Sequence, residues 1–395
     1  MTTHSDPLLT VVVPTRNRPE TALMTVRTLL QIPDDRLEVV VQDCSDDERL
    51  AQTIGSVSDT RLRYRRGTPV SMSANWNRAL ESVSGEFVCF IGDDDGVHPD
   101  IMLATRWAEK NRLEAFAAPT PAWFCWSDHP VSSMASTLLL DRFSGRISYP
   151  DGQEEIRKSS FGFGQQIRRL PRIYHGIVKH SLLDRLRSQT GKYFDSVSPD
   201  FYAAYALGAL VGRYCIVDFP LTISGTSRSS NAARTKDPRY GQKSHYALLF
   251  SENAYTSVSD LVPRCPAHAS CVCSSMLTAF QNLSRTDLIS NIDLPLLYAS
   301  TIMDASGERL STLNQFFRAV NTTGRPLARN TVLFAACWAA RGIQRPASRM
   351  RAALRRTTRR SVARGVDDIA AATRELTRHY GRESASFPRT WIDDS

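Results

Sequence analysis

Residues 86–100 read EFVCFIGDDDGVHPD, and no other stretch restricts the fold as much. Phe87 to Ile91 are an unbroken apolar run, the pattern of a strand buried on both faces. Gly92 ends the run, and Asp93, Asp94 and Asp95 follow at once. Three adjacent carboxylates repel one another and none is cheaply buried. Carboxylate oxygens suit Mg²⁺ or Mn²⁺, and an Asp-x-Asp pair can share one ion. An ordinary acidic turn after a strand is the competing reading.

Earlier runs give this strand its neighbours. Leu8–Val13 is a first strand, followed by the polar loop Pro14, Thr15, Arg16, Asn17, Arg18. Pro19 suits the first turn of a helix, on which Ala22, Leu23, Val26, Leu29 and Leu30 share one face. Leu37–Val41 is a second strand that ends in Gln42 to Asp47, and Arg61–Tyr64 a short third. Ser73–Ser84 reads as a helix with Trp76, Ala79, Leu80 and Val83 inward. Strand alternating with helix predicts a parallel sheet with covering helices. Ligands of such sheets bind beyond the carboxyl ends of the strands. Thr15, Arg16, Asn17, Asp43 and the three aspartates are therefore expected around one crevice.

Four segments together resemble the GT-A glycosyltransferases, family 2 in particular: VVVPTRNRP, VVVQDCSDD, SMSANWNRALESVSGEFVCFIGDDD and, later, SPDFYAAYAL. The first three cover roughly the first 100 residues in the family's order. The resemblance implies a Rossmann-like α/β fold of GT-A type, with a mostly parallel sheet flanked by helices. It implies that Pro14, Thr15, Arg16 and Asn17 line a nucleoside pocket and that Asp43 accepts a hydrogen bond from the base. Asn75 and Arg78 match polar positions beside the nucleotide. Asp93 is implied near the ribose, Asp94 beside the nucleotide sugar, and Asp95 as ligand of a divalent ion, Mn²⁺ or Mg²⁺, on the diphosphate. Asp200, opening a helix after Ser198-Pro199, matches the catalytic base, although Pro199 stands where many members have Glu. A helix-capping aspartate explains the same position. The implied activity is inverting transfer from a nucleotide-diphosphate sugar, a UDP-sugar foremost, to a hydroxyl of a glycan, lipid-linked or surface-polymer acceptor.

Two other readings stay open. One is a catalytically silent sugar-nucleotide or glycan-binding module. The other is a haloacid-dehalogenase-type phosphatase, which Asp93-x-Asp95-Gly96 resembles, although Val97 stands where that motif wants Thr.

The remaining sequence is less legible. Trp123, Phe124 and Trp126 suggest a strand with an aromatic wall, suited to sugar rings or to a core. Gly162-Phe163-Gly164 lacks the third glycine of a dinucleotide fingerprint. Thr222 to Asn231 is polar and reads as a flexible loop, able to close on a diphosphate with Arg228 as charge partner, or as a linker. From about Asp237 the periodicity becomes helical. The expected organisation is a GT-A domain over 1–235 and a mainly α-helical extension over 236–395. Cys265, His268, Cys271 and Cys273 cluster, so a zinc site is conceivable, but the spacing matches no common zinc module and ordinary reduced thiols are expected.

A chain with 42% hydrophobic and 23% charged residues can bury a core. Its net charge of +9 is concentrated: nine arginines fall between Arg341 and Arg364 with no acid among them. That segment reads as a solvated basic helix, a contact for anionic lipid headgroups or a nucleic-acid patch. No aromatic interleaving supports nucleic acid. Leu8–Val13 is too short for a signal peptide and no apolar run approaches 18 residues. A cytoplasmic protein is expected, with any membrane contact peripheral and at the inner face.

Overall fold

The computed structural model describes residues 6–119, 122–141, 143–161, 167–230, 233, 241–252, 259–304, 308–358 and 360–382. For 241–245, 248, 304, 343–358, 360–362 and 380–382 it describes the backbone only. Gly162-Phe163-Gly164 and Arg359 lie outside the described residues.

The main sheet has eight strands. In chain order they are β1 (Leu9–Thr15), β2 (Leu37–Asp43), β3 (Leu62–Arg66) and β4 (Phe87–Phe90), then, after β5 (Gly96–Val97) of the second sheet, β6 (Ala115–Ala117). After β7 (Ala122–Cys125) and β8 (Thr137–Leu140), again of the second sheet, come β9 (Ile147–Ser148), β10 (Gly176–Lys179) and β11 (Tyr214–Val217). Their spatial order is β3-β2-β1-β4-β10-β6-β11-β9. The strands β3, β2, β1 and β4 are mutually parallel, and β6 and β11 are parallel to each other. The strand β10 runs antiparallel to both β4 and β6.

Period-two burial explains why these runs are apolar throughout. On one face Val11, Val13, Val39, Val41, Phe87 and Cys89 pack under α1 (Pro19–Leu30), α2 (Arg49–Ile54) and, after α3 (Met72–Leu80), α4 (Ile101–Lys110). On the other face Val12, Val40, Val88 and Phe90 meet α3 and then, after α5 (Gly152–Phe161), α6 (His180–Thr190) and α7 (Pro199–Leu210). Covering both faces is the arrangement that parallel strands require. The expected strands and helices of the first 100 residues are all present.

The later helices do not build a separate core. Helix α8 (Gly241–Glu252) is followed by α9 (His268–Asn282), α10 (Thr286–Ile289), α11 (Leu294–Asp304) and α12 (Arg309–Thr322). Met276, Phe280, Tyr298 and Phe316 share one buried cluster with Tyr202 and Tyr205 of α7. The long helix α13 (Leu327–Thr358) follows.

A second sheet completes the architecture, with the order β13-β8-β7-β12-β5, where β12 is Thr222–Thr226 and β13 is Arg360–Arg364. Two expectations are corrected here. The segment from Thr222 is not a flexible loop, because β12 pairs parallel to β7 and antiparallel to β5. The arginine-rich segment is not one helix, because its end leaves α13 and pairs with β8. The final helix α14 (Ile369–Arg382) then lays Ile369, Ala372 and Leu376 against Phe124, Leu138 and Ile223. Ile369 lies over Gly96, the residue after the aspartates.

Candidate active site

Register alone brings the first residues together. Thr15 pairs with Asp43 across β1 and β2, and β4 lies on the other side of β1. The crevice residues expected from the sequence thus meet at one sheet edge. The three aspartates, however, are almost fully buried, with exposures of 2%, 4% and 1%.

Each aspartate has its own donors. Asp93 accepts from Thr15 Oγ1 at 2.6 Å and from Arg18 Nη1 at 2.7 Å. Asp94 Oδ2 accepts from the Ser227 N–H at 3.1 Å and the Ser227 hydroxyl at 2.7 Å. Asp95 Oδ1 accepts from Gly225 N at 2.7 Å. Asp95 Oδ2 accepts from Gly92 N at 2.6 Å and Tyr174 Oη at 2.9 Å, and His175 Nε2 is 3.2 Å away. The backbone is held too: Thr25 Oγ1 donates to the carbonyls of Asp93 and Asp95, and Trp126 Nε1 to that of Asp94. Gly225 must be glycine, since a Cβ there would lie 1.7 Å from the Asp94 carbonyl oxygen.

These environments separate the carboxyls. Burial pushes Asp93 up, only partly offset by Arg18 and Thr15. Burial, together with the charge of Asp95, pushes Asp94 up to about 7. Burial acts on Asp95 as well, but His175 and the N–H groups of Gly225 and Gly92 outweigh it and hold Asp95 low.

Tyr174 links this turn to the opposite wall. It sits beside β4 because Phe90 N donates to Ile173 O and His175 N donates to Phe90 O. Its ring packs against Trp76 at 5.9 Å. Burial and the charge of Asp95 push its phenol well above its ordinary value. His175 adopts φ +57°, a strained conformation for a residue other than glycine. Asp200 lies close enough for its charge to act on both Tyr174 and Arg172. It is half-buried in the first turn of α7, and Ser198 Oγ donates to it at 2.5 Å. Burial pushes the Arg172 guanidinium down, against the opposing pull of Asp200.

The expected nucleoside residues have more varied positions. Asp43 is fully buried and accepts from Tyr64 Oη and Ser45 N, both at 2.8 Å. Pro14 is partly buried beside Gln42. Thr15 turns toward Asp93 rather than outward. Asn17 is exposed and bonded to Ser45 and Asp46, while Arg16 pairs with Asp46 and Glu252. Asn75 is buried and donates to Gln42 O, and its Oδ1 has no donor among the described residues. Arg78 donates to Thr68 O beside Gly67.

The divalent ion expected on Asp95 does not fit this arrangement. Both oxygens of Asp95 and of Asp93, and Oδ2 of Asp94, already accept hydrogen bonds. Among the described residues no group of three His, Cys, Asp or Glu side chains is disposed to hold a metal, the Cys265–Cys273 region included. Arg228 is exposed, and the cation on the aspartates is Arg18. Phe124 and Trp126 point into the core, so they are not a sugar-stacking wall. Sequence reasoning missed Gly225, Ser227 and Tyr174. Their signal lies in tertiary pairing alone.

A mixed α/β sheet in which β1, β2 and β4 are neighbouring parallel strands, with a helical C-terminal region, is the GT-A type of fold. Residues 10–140 match the family model described as Glycosyl transferase family 2. Escherichia coli K12 WcaA, named for glycosyl transfer in colanic acid biosynthesis, is 30% identical over 150 residues, which are 37% of this chain and 53% of WcaA. The Campylobacter jejuni GalNAc(5)-diNAcBac-PP-undecaprenol beta-1,3-glucosyltransferase is 32% identical over 93 residues, 22% of this chain and 30% of that protein. The match therefore spans about half of WcaA and less of the other. The structure of Staphylococcus aureus TarS residues 1–349 with UDP aligns over 84% of this chain and 89% of that one, at 16% identity and a TM-score of 0.43.

Proposed function

We propose that the protein is a glycosyltransferase that moves a sugar from a nucleotide-diphosphate sugar to an acceptor hydroxyl, with inversion. The observation that carries this reading is the placement of Asp200. A half-buried carboxylate that accepts from Ser198 opens α7, close enough for its charge to act on Tyr174, which itself donates to Asp95.

The nucleoside end lies between β2 and α3. There the orphaned Asn75 Oδ1 is a buried acceptor in want of a donor, and a base or ribose N–H or O–H supplies one. UDP is the nucleotide favoured by the family resemblance. Asp200 takes the proton of the acceptor hydroxyl as its oxygen bonds to the anomeric carbon. The bond from that carbon to the diphosphate oxygen breaks on the opposite face, and the electron pair leaves with the nucleoside diphosphate. One displacement inverts the centre. No step is routed through a metal ion.

The acceptor class we favour is a glycan, lipid-linked or surface polymer. Docking at an anionic membrane face would bring such an acceptor close. Among the described residues no helix is long and apolar enough to cross a membrane. The start of α13 exposes Val332 at 69% and Trp338 at 52%, just before the run of arginines. Exposed aromatics beside arginines suit a lipid surface.

A donor panel read by nucleoside-diphosphate release, with and without acceptor glycans, tests the function. Acceptor-dependent release that Asp200→Asn abolishes is expected. Tight donor binding with no release under any acceptor would favour the silent binding module.

A further inference from the structure

Arg18 occupies the place where a cation between the aspartates would stand. Its Nη1 lies 2.7 Å from Asp93 Oδ1 and 4.0 Å from Asp94 Oδ1, so one nitrogen faces two carboxylates. The side chain is itself 19% exposed, against 3% and 6% for its partners. Burial pushes the guanidinium down, yet Asp93 and Asp94 together hold it above its ordinary value.

The position is built, not incidental. Arg18 is the residue before α1, and Pro19 fixes the first helical turn. Two turns further along the same helix, Thr25 holds the backbone carbonyls of Asp93 and Asp95. The same helix thus supplies the charge and grips the turn. Other carboxylate oxygens are held by Thr15, by Gly225 of β12 and Ser227 just after it, and by Gly92 and Tyr174. A divalent ion would have to displace Arg18 and at least one of these donors. Guanidinium, in contrast, needs no further ligands, and two of its donors suit paired carboxylates.

We infer that Arg18 is the resident cation of the aspartate turn, standing in the place of a divalent ion, and that the turn binds no metal while Arg18 is present. The inference concerns the chain's own charge balance and holds whether or not sugar transfer is the activity. It also predicts a latent site. With Arg18 removed, Asp93 and Asp94 would face each other without a cation, and hard oxygen ligands would become free for Mn²⁺.

Electron paramagnetic resonance of aqueous Mn²⁺ tests this directly, since protein binding reduces the free-ion signal. The full chain, the variants Arg18→Ala and Arg18→Lys, and the double variant Arg18→Ala/Asp93→Asn are titrated with Mn²⁺ alone. The expected result is no uptake at micromolar Mn²⁺ by wild type or Arg18→Lys. Arg18→Ala takes up one ion per chain, and the added Asp93→Asn abolishes that uptake. Uptake by wild type equal to that of Arg18→Ala would overturn the inference, as would a folded Arg18→Ala that takes up none. If Arg18→Ala does not fold, Arg18→Gln takes its place, judged by the same two outcomes. The readout does not depend on a donor or acceptor, so it stands apart from any failure of the transferase assay.

Discussion

The aspartate turn after β4 and the aspartate that opens α7 share a chemistry and differ in what surrounds them. Asp93, Asp94 and Asp95 are buried, and donors from Thr15, Arg18, Gly225, Ser227, Gly92 and Tyr174 take all but one of their oxygens. Asp200 is half-buried and, among the described residues, accepts from Ser198. A carboxylate surrounded by fixed donors is architecture, because moving it leaves several buried groups unpaired. A carboxylate with one donor and a face toward solvent can exchange a proton with a substrate. On the proposed function, the acidic motif that is conspicuous in the sequence is the structural one, and the inconspicuous aspartate is the chemical one.

The sharpest way to break this comparison is at Gly225. A methyl there would collide with the backbone of Asp94, which has nowhere to move between Trp126 and Thr25. Gly225→Ala should therefore detach β12 from the turn, at a cost of about 3–5 kcal/mol, the scale of a disrupted buried charge network. Chemical denaturation should show a much lower midpoint, and near-ultraviolet circular dichroism should lose the signal of Trp126. An unchanged midpoint would mean that the turn does not depend on β12 and that the aspartates are free for other work.

How much of this was legible beforehand follows the same divide. The strands β1, β2 and β4 and the helices α1 and α3 announce themselves by their apolar patterns, and α7 by Ser198-Pro199-Asp200 at its start, and each appeared where the sequence placed it. The crevice at their ends followed from topology. The segment Thr222–Thr226 did not announce itself, because Thr, Ser and Gly at those positions are turn residues by composition. It becomes a strand only because β7 and β5 offer it partners and because glycine lets its backbone touch Asp94. Arg18 lay in plain view within the first loop. Nothing local says that it reaches back to an aspartate 75 residues away. Burial of Asp93–Asp95 was unreadable for the same reason: its donors come from as far as Ser227.

Asp200 gives the middle-sized test. Asn at this position keeps an oxygen to accept from Ser198, so the fold should not change. It cannot take a proton. Turnover should fall by about 10²–10⁴-fold, the usual contribution of a general base, with donor affinity held within a factor of about two. Turnover kinetics and calorimetry with the donor check both halves. A near-wild-type rate would leave Asp200 as a partner of Ser198 alone. The alternatives are weaker: Asp195 is held by Ser196, Asn282 and Lys192, and His175 by its contact with Asp95.

The smallest effect separates the aspartates from one another. Asp94 is the member that burial and Asp95 push up to about 7, whereas an unfolded aspartate titrates near 3.9. The native state therefore binds a proton that the unfolded chain releases across this interval. Stability drawn from that proton is complete below about pH 4 and is lost as pH rises through about 7. The groups that face Asp94 are Arg18, Asp93, Asp95 and Ser227. Asp94→Asn removes the ionising oxygen and retains one that can accept from Ser227. The variant should match the wild type in urea midpoint at pH 4.5 and exceed it at pH 8, with the crossover spread over the interval between. If instead the two midpoints differ equally at both values, Asp94 is ionised throughout, and Arg18 balances two charges in the turn rather than one.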